Sequence, residues 1–344
     1  MKIKFLLLIA MMGTTMIWSQ SKVFWQKQTT DASTVFKENH QTIKEFHTFS
    51  LNAEALRQSL NSVPLRDQFM AVSNTILSFP NAEGKMERFS IKEASVMHPD
   101  LQERFPEIRS YVGQGIDNAA SVLRFSLSPE GFNGMILSSD GKNTFIEPVG
   151  RFSNNYIVFN RKNRVDYNND FECSITEQIN NSMNGSTLRN ADDSILRTYR
   201  LAVSTTGEYT QYHGGTKAQA LAAINTTMTR VNGIFEVDFN VTMVLIPNTD
   251  DVIYTSTTSD PYGNTTSGYN SALQNTLTSV IGEANYDVGH LFANLQNNGN
   301  AGCIGCVCVN GQKGSGWTSA TIPEGDFFDV DYVCLLYTSD AADD

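Results

Sequence analysis

The residue pattern changes between positions 160 and 195, and this change constrains the fold more than any other feature. Before it, short segments alternate apolar and polar residues, as at 75–79, 121–126 and 143–147. Period-two runs bounded by Pro and Gly predict antiparallel β-strands. After it, strand-like and helix-like segments alternate, which predicts a layered α/β sheet. The stretch between them is rich in Asn, Asp and Ser and predicts a linker between two domains.

The clearest local pattern in the second half is a helix from about Lys217 to Phe235. Thr216 and Gln219 have the spacing of a capping box. Apolar residues then recur every three or four positions, which places them on one helical face. These residues are Leu221, Ile224, Met228, Val231 and Phe235. Further elements are predicted as strands at 198–203, 240–246 and 286–293 and a second helix at 271–283.

The first 20 residues have the pattern of a secretory signal peptide. Lys2 and Lys4 precede an apolar run from Phe5 to Ile17, and small or polar residues follow. About 13 apolar residues fall short of the roughly 20 needed to cross a bilayer. No later stretch is long and apolar enough either. The sequence therefore predicts a secreted, extracellular protein without a membrane span, in a compartment where disulfides can form.

Charge and histidine spacing exclude two classes of site. The formal net charge is −11, which argues against nucleic acid as a partner because phosphate binding depends on clustered Lys and Arg. The chain has 5 His, and no two lie three or four residues apart. A helical His pair for a metal is therefore absent from this sequence.

Three of the 5 Cys crowd into the run AGCIGCVC at 301–308. With one distant Cys, the thiols Cys303, Cys306 and Cys308 could form a tetrahedral metal site. Export of the chain favours disulfides or buried thiols instead. If the run is a strand, Cys306 and Cys308 share one face and Cys303 lies on the other.

Three weaker patterns favour ordinary structural roles. Asp166, Asn168, Asp170 and Glu177 match positions of a calcium-binding loop, but Phe171 stands where that loop needs Gly, and a solvated acidic linker is favoured. The glycine-rich run 311–316 lacks a phosphate-loop order and predicts a turn between strands. His290 lies on a predicted strand, where packing or hydrogen bonding is favoured over a ligand role. No Gly-x-Ser-x-Gly nucleophile elbow is present.

Residues 196–334 resemble the N-terminal part of a reprolysin-like (adamalysin-type) metzincin zinc protease of the secreted bacterial kind. The upstream half resembles the propeptide of the same proteins, and together the matches cover most of the chain. The protease-like runs are RTYRLAVSTTGEYTQYHGGT (197–216), RVNGIFEVDFNVTMVLIPNTD (230–250), IGEANYDVGHLF (281–292) and EGDFFDVDYV (324–333). The propeptide-like runs are ILSFPNAEGKMERFSI (76–91) and SYVGQGIDNAASVLRFSLSPEGFNGMI (110–136).

The resemblance implies an α/β fold in which a β-rich propeptide precedes an incomplete N-terminal protease subdomain with a mixed sheet and helices. The implied divisions are a signal peptide at 1–20, a propeptide at 21–195 with its polar linker, a partial catalytic domain at 196–334 and a tail at 335–344.

In this family Asp-Tyr-Val-x leads into a helix with His-Glu-x-x-His-x-x-Gly-x-x-His, whose His residues bind zinc and whose Glu acts as the base. Here Cys334 is followed by LLYTSDAADD, and none of those ligands appears. We expect a truncated or out-of-frame end, with 335–344 not native. The alternative is a natural pseudoenzyme with a short acidic tail.

By the same resemblance, residues 301–308 would be the edge strand of the substrate cleft. Gly302, Cys303, Ile304, Gly305 and Cys306 would pair with a substrate peptide through main-chain hydrogen bonds. The alternative is an edge strand without a substrate role.

Two further features have more than one interpretation. Cys173 is a candidate latency thiol that would ligate zinc, although a disulfide partner or spare thiol is favoured. Asp329 and Asp331 fit the first turn of the missing zinc-binding helix, where carboxylates favour the dipole, or are surface acids.

The function expected for the full-length protein is that of a secreted zinc metalloendopeptidase acting on protein or peptide substrates. Zinc is expected there, whereas the 344-residue chain should bind no catalytic zinc and hydrolyse nothing. A different class, a secreted non-catalytic binding or inhibitory protein, is the alternative. The sequence sets neither the oligomeric state nor the peptide specificity.

Overall fold

The fold was determined as a computed structural model that describes residues 24–29, 43–66, 73–164, 172–173, 195–303 and 305–334. The predicted signal peptide, most of the calcium-type loop and the tail at 335–344 lie outside the described residues. In the described part, no helix is both long and apolar enough to cross a bilayer.

The N-terminal half of the described chain forms a nine-stranded antiparallel sheet, as the period-two runs predict. The strand order is β1-β2-β9-β8-β7-β6-β5-β4-β3. The first two strands of the chain therefore pair with each other, and β2 pairs with the last strand, β9. The strands are β1 (Trp25–Gln28), β2 (His47–Leu51), β3 (Ile76–Pro80), β4 (Met86–Glu93), β5 (Arg109–Gly115), β6 (Val122–Ser128), β7 (Gly131–Leu137), β8 (Thr144–Pro148) and β9 (Asn155–Asn160). We call residues 24–164 of the described chain the N-terminal unit.

One face of this sheet carries an aromatic core. The rings of Phe125 and Phe132 lie 5.3 Å apart, and Trp25 meets Phe132 edge-on at 5.2 Å. Helix α1 (Ala53–Leu60) covers this face with Leu56 and Leu60. The core therefore comes from alternate residues of the strands, which accounts for their period-two pattern. A short helix α2 (Pro99–Arg104) connects β4 to β5.

The second half forms a six-stranded sheet with the order β10-β14-β15-β13-β11-β12. Its pairs are parallel except for β14 against β15. The strands are β10 (Glu172–Cys173), β11 (Arg197–Thr205), β12 (Val241–Leu245), β13 (Val288–Ala293), β14 (Asn298–Asn300) and β15 (Gly316–Ser319). The predicted strand–helix alternation in this half is confirmed.

Two helices follow β11, first α3 (Gly207–Tyr212) and then the long helix α4 (Lys217–Asp238). The Thr216 hydroxyl caps α4 by accepting a hydrogen bond from the Gln219 amide at 3.2 Å. The predicted apolar stripe is buried in one cluster with β11 and β12, which confirms the helix. It runs one turn beyond the predicted end at Phe235.

Helix α4 lies between the two sheets, because its other face packs on the N-terminal unit. The Ser110 hydroxyl of β5 lies 2.9 Å from Asn225 Oδ1 and 2.8 Å from Thr229 Oγ1. Ser126 of β6 meets Thr226 at 2.8 Å. The strand residues that alternate with the aromatic core are thus buried as well, against a polar helix face.

The predicted helix 271–283 is divided into three pieces. Helix α5 (Tyr269–Thr276) passes into a π-helical turn (Leu277–Ile281) and then a 3₁₀ turn (Glu283–Asn285). Gly282 separates the last two with φ of 84°, a left-handed conformation that glycine adopts readily. A second π-helical segment, Phe327–Cys334, packs on α4 and buries Phe328, Tyr332 and Val333.

Candidate functional site

The outer part of the six-stranded sheet is where the sequence predicts a substrate-binding edge. The strand there is β14, which pairs antiparallel with β15 in the register Asn298↔Ser319 and Asn300↔Trp317. Asn270 of α5 holds this region together, since its amide donates to Asn300 Oδ1 at 3.1 Å and to the Ser315 carbonyl at 2.6 Å. The strand next to the outer edge is therefore β14, at 298–300, just before the predicted residues 301–308.

The prediction that residues 301–308 form a strand is wrong for the described residues. Cys303 lies in a bend and Gly305 in a turn, Gly302 and Cys306 belong to no helix or strand, and Ile304 lies outside the described residues. Left-handed φ angles at Gly302 (80°) and Gly305 (72°) are incompatible with an extended ladder. The substrate role of these residues stays a prediction, attached now to a loop that follows the edge strand.

A disulfide closes this loop between Cys303 and Cys306, with 5.6 Å between their Cα atoms. Cys308 is exposed and outside that bridge. Of the alternatives for the three thiols, the structure thus shows a disulfide. Its spacing of three residues fits a tight turn, and the two glycines in the run are the sequence signal that could have indicated a turn instead of a strand.

The Cys173 backbone lies beside the same edge. Strand β10 pairs in parallel with β14, in the register Glu172↔Asn298 and Cys173↔Gly299. The candidate latency Cys therefore lies beside β14, the strand that precedes the predicted cleft residues 302–306. A segment of the polar stretch before residue 195 occupies the outer side of the edge strand.

The two histidines within residues 195–334, His213 and His290, are held by ordinary hydrogen bonds. His290 is buried on β13, and its Nε2 lies 2.8 Å from Thr318 Oγ1. Burial lowers the pKa of His290 to about 3, so the ring is neutral at ordinary pH. The prediction that His290 is a packed and hydrogen-bonded residue is confirmed. His213, at the end of α3, lies 3.2 Å from the Pro323 carbonyl through Nε2, and burial likewise lowers its pKa to about 3.

A zinc ion does not fit the residues that the structure describes. Among them, no three His, Cys, Asp or Glu side chains come together as a metal-ligand group. His213 and His290 use Nε2 for a backbone carbonyl and a threonine hydroxyl.

The most strongly charged buried site lies between the two sheets and was not predicted. Arg230 of α4 is 1% exposed and lies 2.8 Å from Asp329 Oδ2 and 3.0 Å from Glu147 Oε1. Asp329 also accepts from the Thr227 hydroxyl at 2.6 Å. We call these three ionic residues, with Asp326, the Arg230 cluster.

Two carboxyl groups of the Arg230 cluster, those of Glu147 and Asp329, have a raised pKa because they are buried. Burial, opposed by Arg230, raises the pKa of Glu147 to about 7. The Glu147 side chain also accepts from the Asp326 amide at 2.8 Å, and Arg164 pairs with Asp326 at 2.8 Å. Asp329 lies in the first turn of the second π-helical segment and is buried, so it is not a surface acid. Its burial against Arg230 could not be read from a local pattern.

Comparison with known protein families gives one match, in the second half of the chain. A family model described as metallo-peptidase family M12B, reprolysin-like, matches residues 195–334. The matched stretch contains β11, α4, β13, the edge strand β14 and the second π-helical segment. No curated protein matches the chain. The match supports a reprolysin-like metalloprotease domain in the second half, of a family that is zinc-dependent and acts on proteins.

Proposed function

We propose that this chain represents the precursor of a secreted zinc-dependent metalloendopeptidase and carries the first part of its catalytic domain. The observation that carries the proposal is the match of residues 195–334 to the M12B reprolysin-like family. The mixed sheet with α4 on one face, and with β14 antiparallel to β15 near its outer edge, is consistent with it. The signal peptide at 1–20, the propeptide at 21–195 and extracellular localisation belong to the same proposal.

In this proposal the residues present here bind and position the substrate. The backbone of β14, followed by the disulfide-closed loop, offers main-chain donors and acceptors to an extended peptide. In the precursor, β10 takes that position, which supports a role of the segment around Cys173 in keeping the enzyme latent. Zinc is the cofactor of the longer protein and would supply the activation of water there.

We further propose that the 344-residue chain itself is inactive. The sequence contains no His-Glu-x-x-His, and the described residues do not form a metal-ligand group. The same missing motif favours the alternative of a secreted non-catalytic binding or inhibitory protein, if the native sequence lacks it too.

One experiment separates the two functions. The coding DNA is read in all three frames beyond the codon for Cys334, and the longest product is expressed beside the 344-residue chain. The peptidase proposal expects a His-Glu-x-x-His helix and chelator-sensitive peptide hydrolysis in the longer product only. A natural stop after Asp344, or chelator-sensitive hydrolysis by the purified short chain, would contradict it.

A further inference from the structure

Residues 95–108 of the N-terminal unit are built into the second domain. We call them the docking segment. We propose that the N-terminal unit stays bound to residues 195–334, through this segment, after the chain between them is cut. The N-terminal unit is then a non-covalent subunit of the folded protein and is not released by cleavage alone.

The first support is a strand pairing at the outer edge of β12. Met97 pairs in parallel with Leu245. The Leu245 amide donates to the Val96 carbonyl at 2.8 Å, and the His98 amide donates to the Leu245 carbonyl at 2.9 Å. The other side of β12 pairs with β11. The docking segment therefore satisfies backbone groups of β12 that would otherwise face water.

The second support is a shared apolar core. Val96, Met97, Leu101 and Ile108 are each at most 3% exposed. They belong to the same buried cluster as residues of β11, β12 and the apolar stripe of α4. These four side chains thus complete the core of the second domain. Permanent interfaces have this character, in which apolar side chains of one chain fill the interior of the other.

The third support is a set of ion pairs that surrounds this core. Arg104, at the end of α2, reaches Asp250 Oδ1 at 2.5 Å and the Pro247 carbonyl at 2.7 Å. Arg66 pairs with Glu236 of α4 at 2.7 Å, and Arg124 of β6 pairs with the same carboxylate. These contacts fix the orientation of the N-terminal unit on α4 without any contribution from the connecting residues 174–194.

The test cuts the full-length chain after it has folded. A flexible insert with a specific protease site is placed between Asn190 and Ala191, and cleavage is verified on a denaturing gel. Gel filtration and native mass spectrometry are then run at about 1 μM chain, a concentration at which weak interfaces dissociate. We expect both fragments in one species with the mass of the uncut chain. Elution as separate fragments, or precipitation of the second fragment alone, would overturn the proposal.

A matched pair of variants tests the strand pairing. His98 has φ of −57° and ψ of 145°, which proline can adopt, so His98→Pro removes the amide donor and turns the proline ring towards the Leu245 carbonyl. His98→Ala removes the same side chain and keeps the amide. We expect cut His98→Pro to dissociate about fivefold more readily than cut His98→Ala, the effect of one lost hydrogen bond. Equal dissociation of the two variants would count against docking through β12.

Hydrogen exchange of the unsubstituted protein gives a readout that does not depend on how a variant folds. The Leu245 amide should stay protected after cleavage, because its acceptor Val96 stays in place. Rapid exchange of Leu245 in the cut protein would overturn the proposal. None of these measurements uses peptidase activity, so their failure would leave the proposed function untouched.

Discussion

Arg230 and Asp329 form a buried ion pair, with 2.8 Å between Nη1 and Oδ2, although they lie 99 residues apart in the sequence. Glu147, from the N-terminal sheet, contacts the same guanidinium at 3.0 Å. Three parts of the chain therefore meet at one cation: β8, α4 and the second π-helical segment. The stability of the domain contact depends on how this charge is balanced.

Removal of the Arg230 cation should be strongly destabilising. Arg230→Met keeps much of the side-chain volume but leaves Glu147 and Asp329 buried without their counter-ion. We expect the free energy of unfolding to fall by about 3–5 kcal/mol, as for other broken buried ion pairs. Urea denaturation of the full chain measures it.

The control for this change is Arg88→Met. Arg88 also pairs with a carboxylate, Asp117 at 2.6 Å, but on the surface. The control should lose little stability, because solvent screens exposed pairs. Similar losses in the two variants would show that the burial of the Arg230 cluster has no energetic consequence.

Replacement of Glu147 should change the pH dependence of stability. Its pKa is raised from 4.5 to about 7 in the folded chain, so the folded state holds this proton more tightly than the unfolded state does. Its contribution is full below pH 4.5 and is lost as the pH rises through about 7. Relative to the unsubstituted chain, Glu147→Gln should therefore gain up to about 1.4 kcal/mol per pH unit over this range.

Urea denaturation at about pH 5 and about pH 8 tests this, since the window lies between them. Glu54→Gln on the exposed side of α1 controls for the amide substitution itself. A difference between Glu147→Gln and the unsubstituted chain that does not vary with pH would contradict the prediction.

His290 should change the free energy of unfolding with pH in the direction opposite to that of Glu147. Burial lowers its pKa from 6.5 to about 3, so the unfolded state binds the proton more tightly. The stability it supports is present above pH 6.5 and is lost as the pH falls towards 3. The slope is at most about 1.4 kcal/mol per pH unit. His290→Gln keeps a polar group near Thr318 and should flatten the loss between about pH 6.5 and about pH 5.

Thermal or urea denaturation across this range measures the slope, and His98→Gln, on a side chain that is 44% exposed, is the control. An unchanged acid slope in His290→Gln would show that the buried imidazole is not the source. His213 contributes in the same direction, so a residual slope is expected in the single variant.

Gly233→Ala should destabilise the contact between α4 and the N-terminal sheet. A Cβ at this position would lie 2.8 Å from Arg124 Cγ and 3.1 Å from Met135 Cε. Both neighbours are buried, so we expect a loss of about 1–3 kcal/mol from overpacking. In an exposed helix interior the same change would be stabilising, because alanine favours the helix.

Ala218→Gly, on the exposed first turn of the same helix, measures the propensity effect alone and should cost about 1 kcal/mol or less. Urea denaturation of both variants gives the comparison. A gain in stability for Gly233→Ala would mean that β6 and α4 separate readily at this point.

Local sequence patterns predicted the helices and strands better than they predicted which helices and strands pack against each other. The stripe from Leu221 to Phe235 predicted α4, and its burial follows from the 3.6-residue period. The same pattern gave no sign that Asn225 and Thr229 face a second sheet, because polar residues on a helix normally face water. Their partner Ser110 lies 115 and 119 residues away. Pairing over such separations depends on topology and not on local sequence.

The candidate site shows the same limit. The resemblance implied an edge strand at 301–308, whereas Gly302 and Gly305 take left-handed angles there and the strand β14 ends at Asn300. The disulfide between Cys303 and Cys306 fixes that turn. Cys173 was chosen from the sequence as a candidate latency thiol, but its place beside β14 required the three-dimensional structure.

The two ends of the six-stranded sheet carry one more consequence. β10 lies along β14 at one end, and Met97 lies along β12 at the other. Unpaired sheet ends recruit strands from other molecules and cause aggregation. The residues before 195 therefore determine whether the second domain remains soluble during its biosynthesis. Expression of 195–334 by itself should give inclusion bodies, and co-expression with the N-terminal unit should keep it in solution.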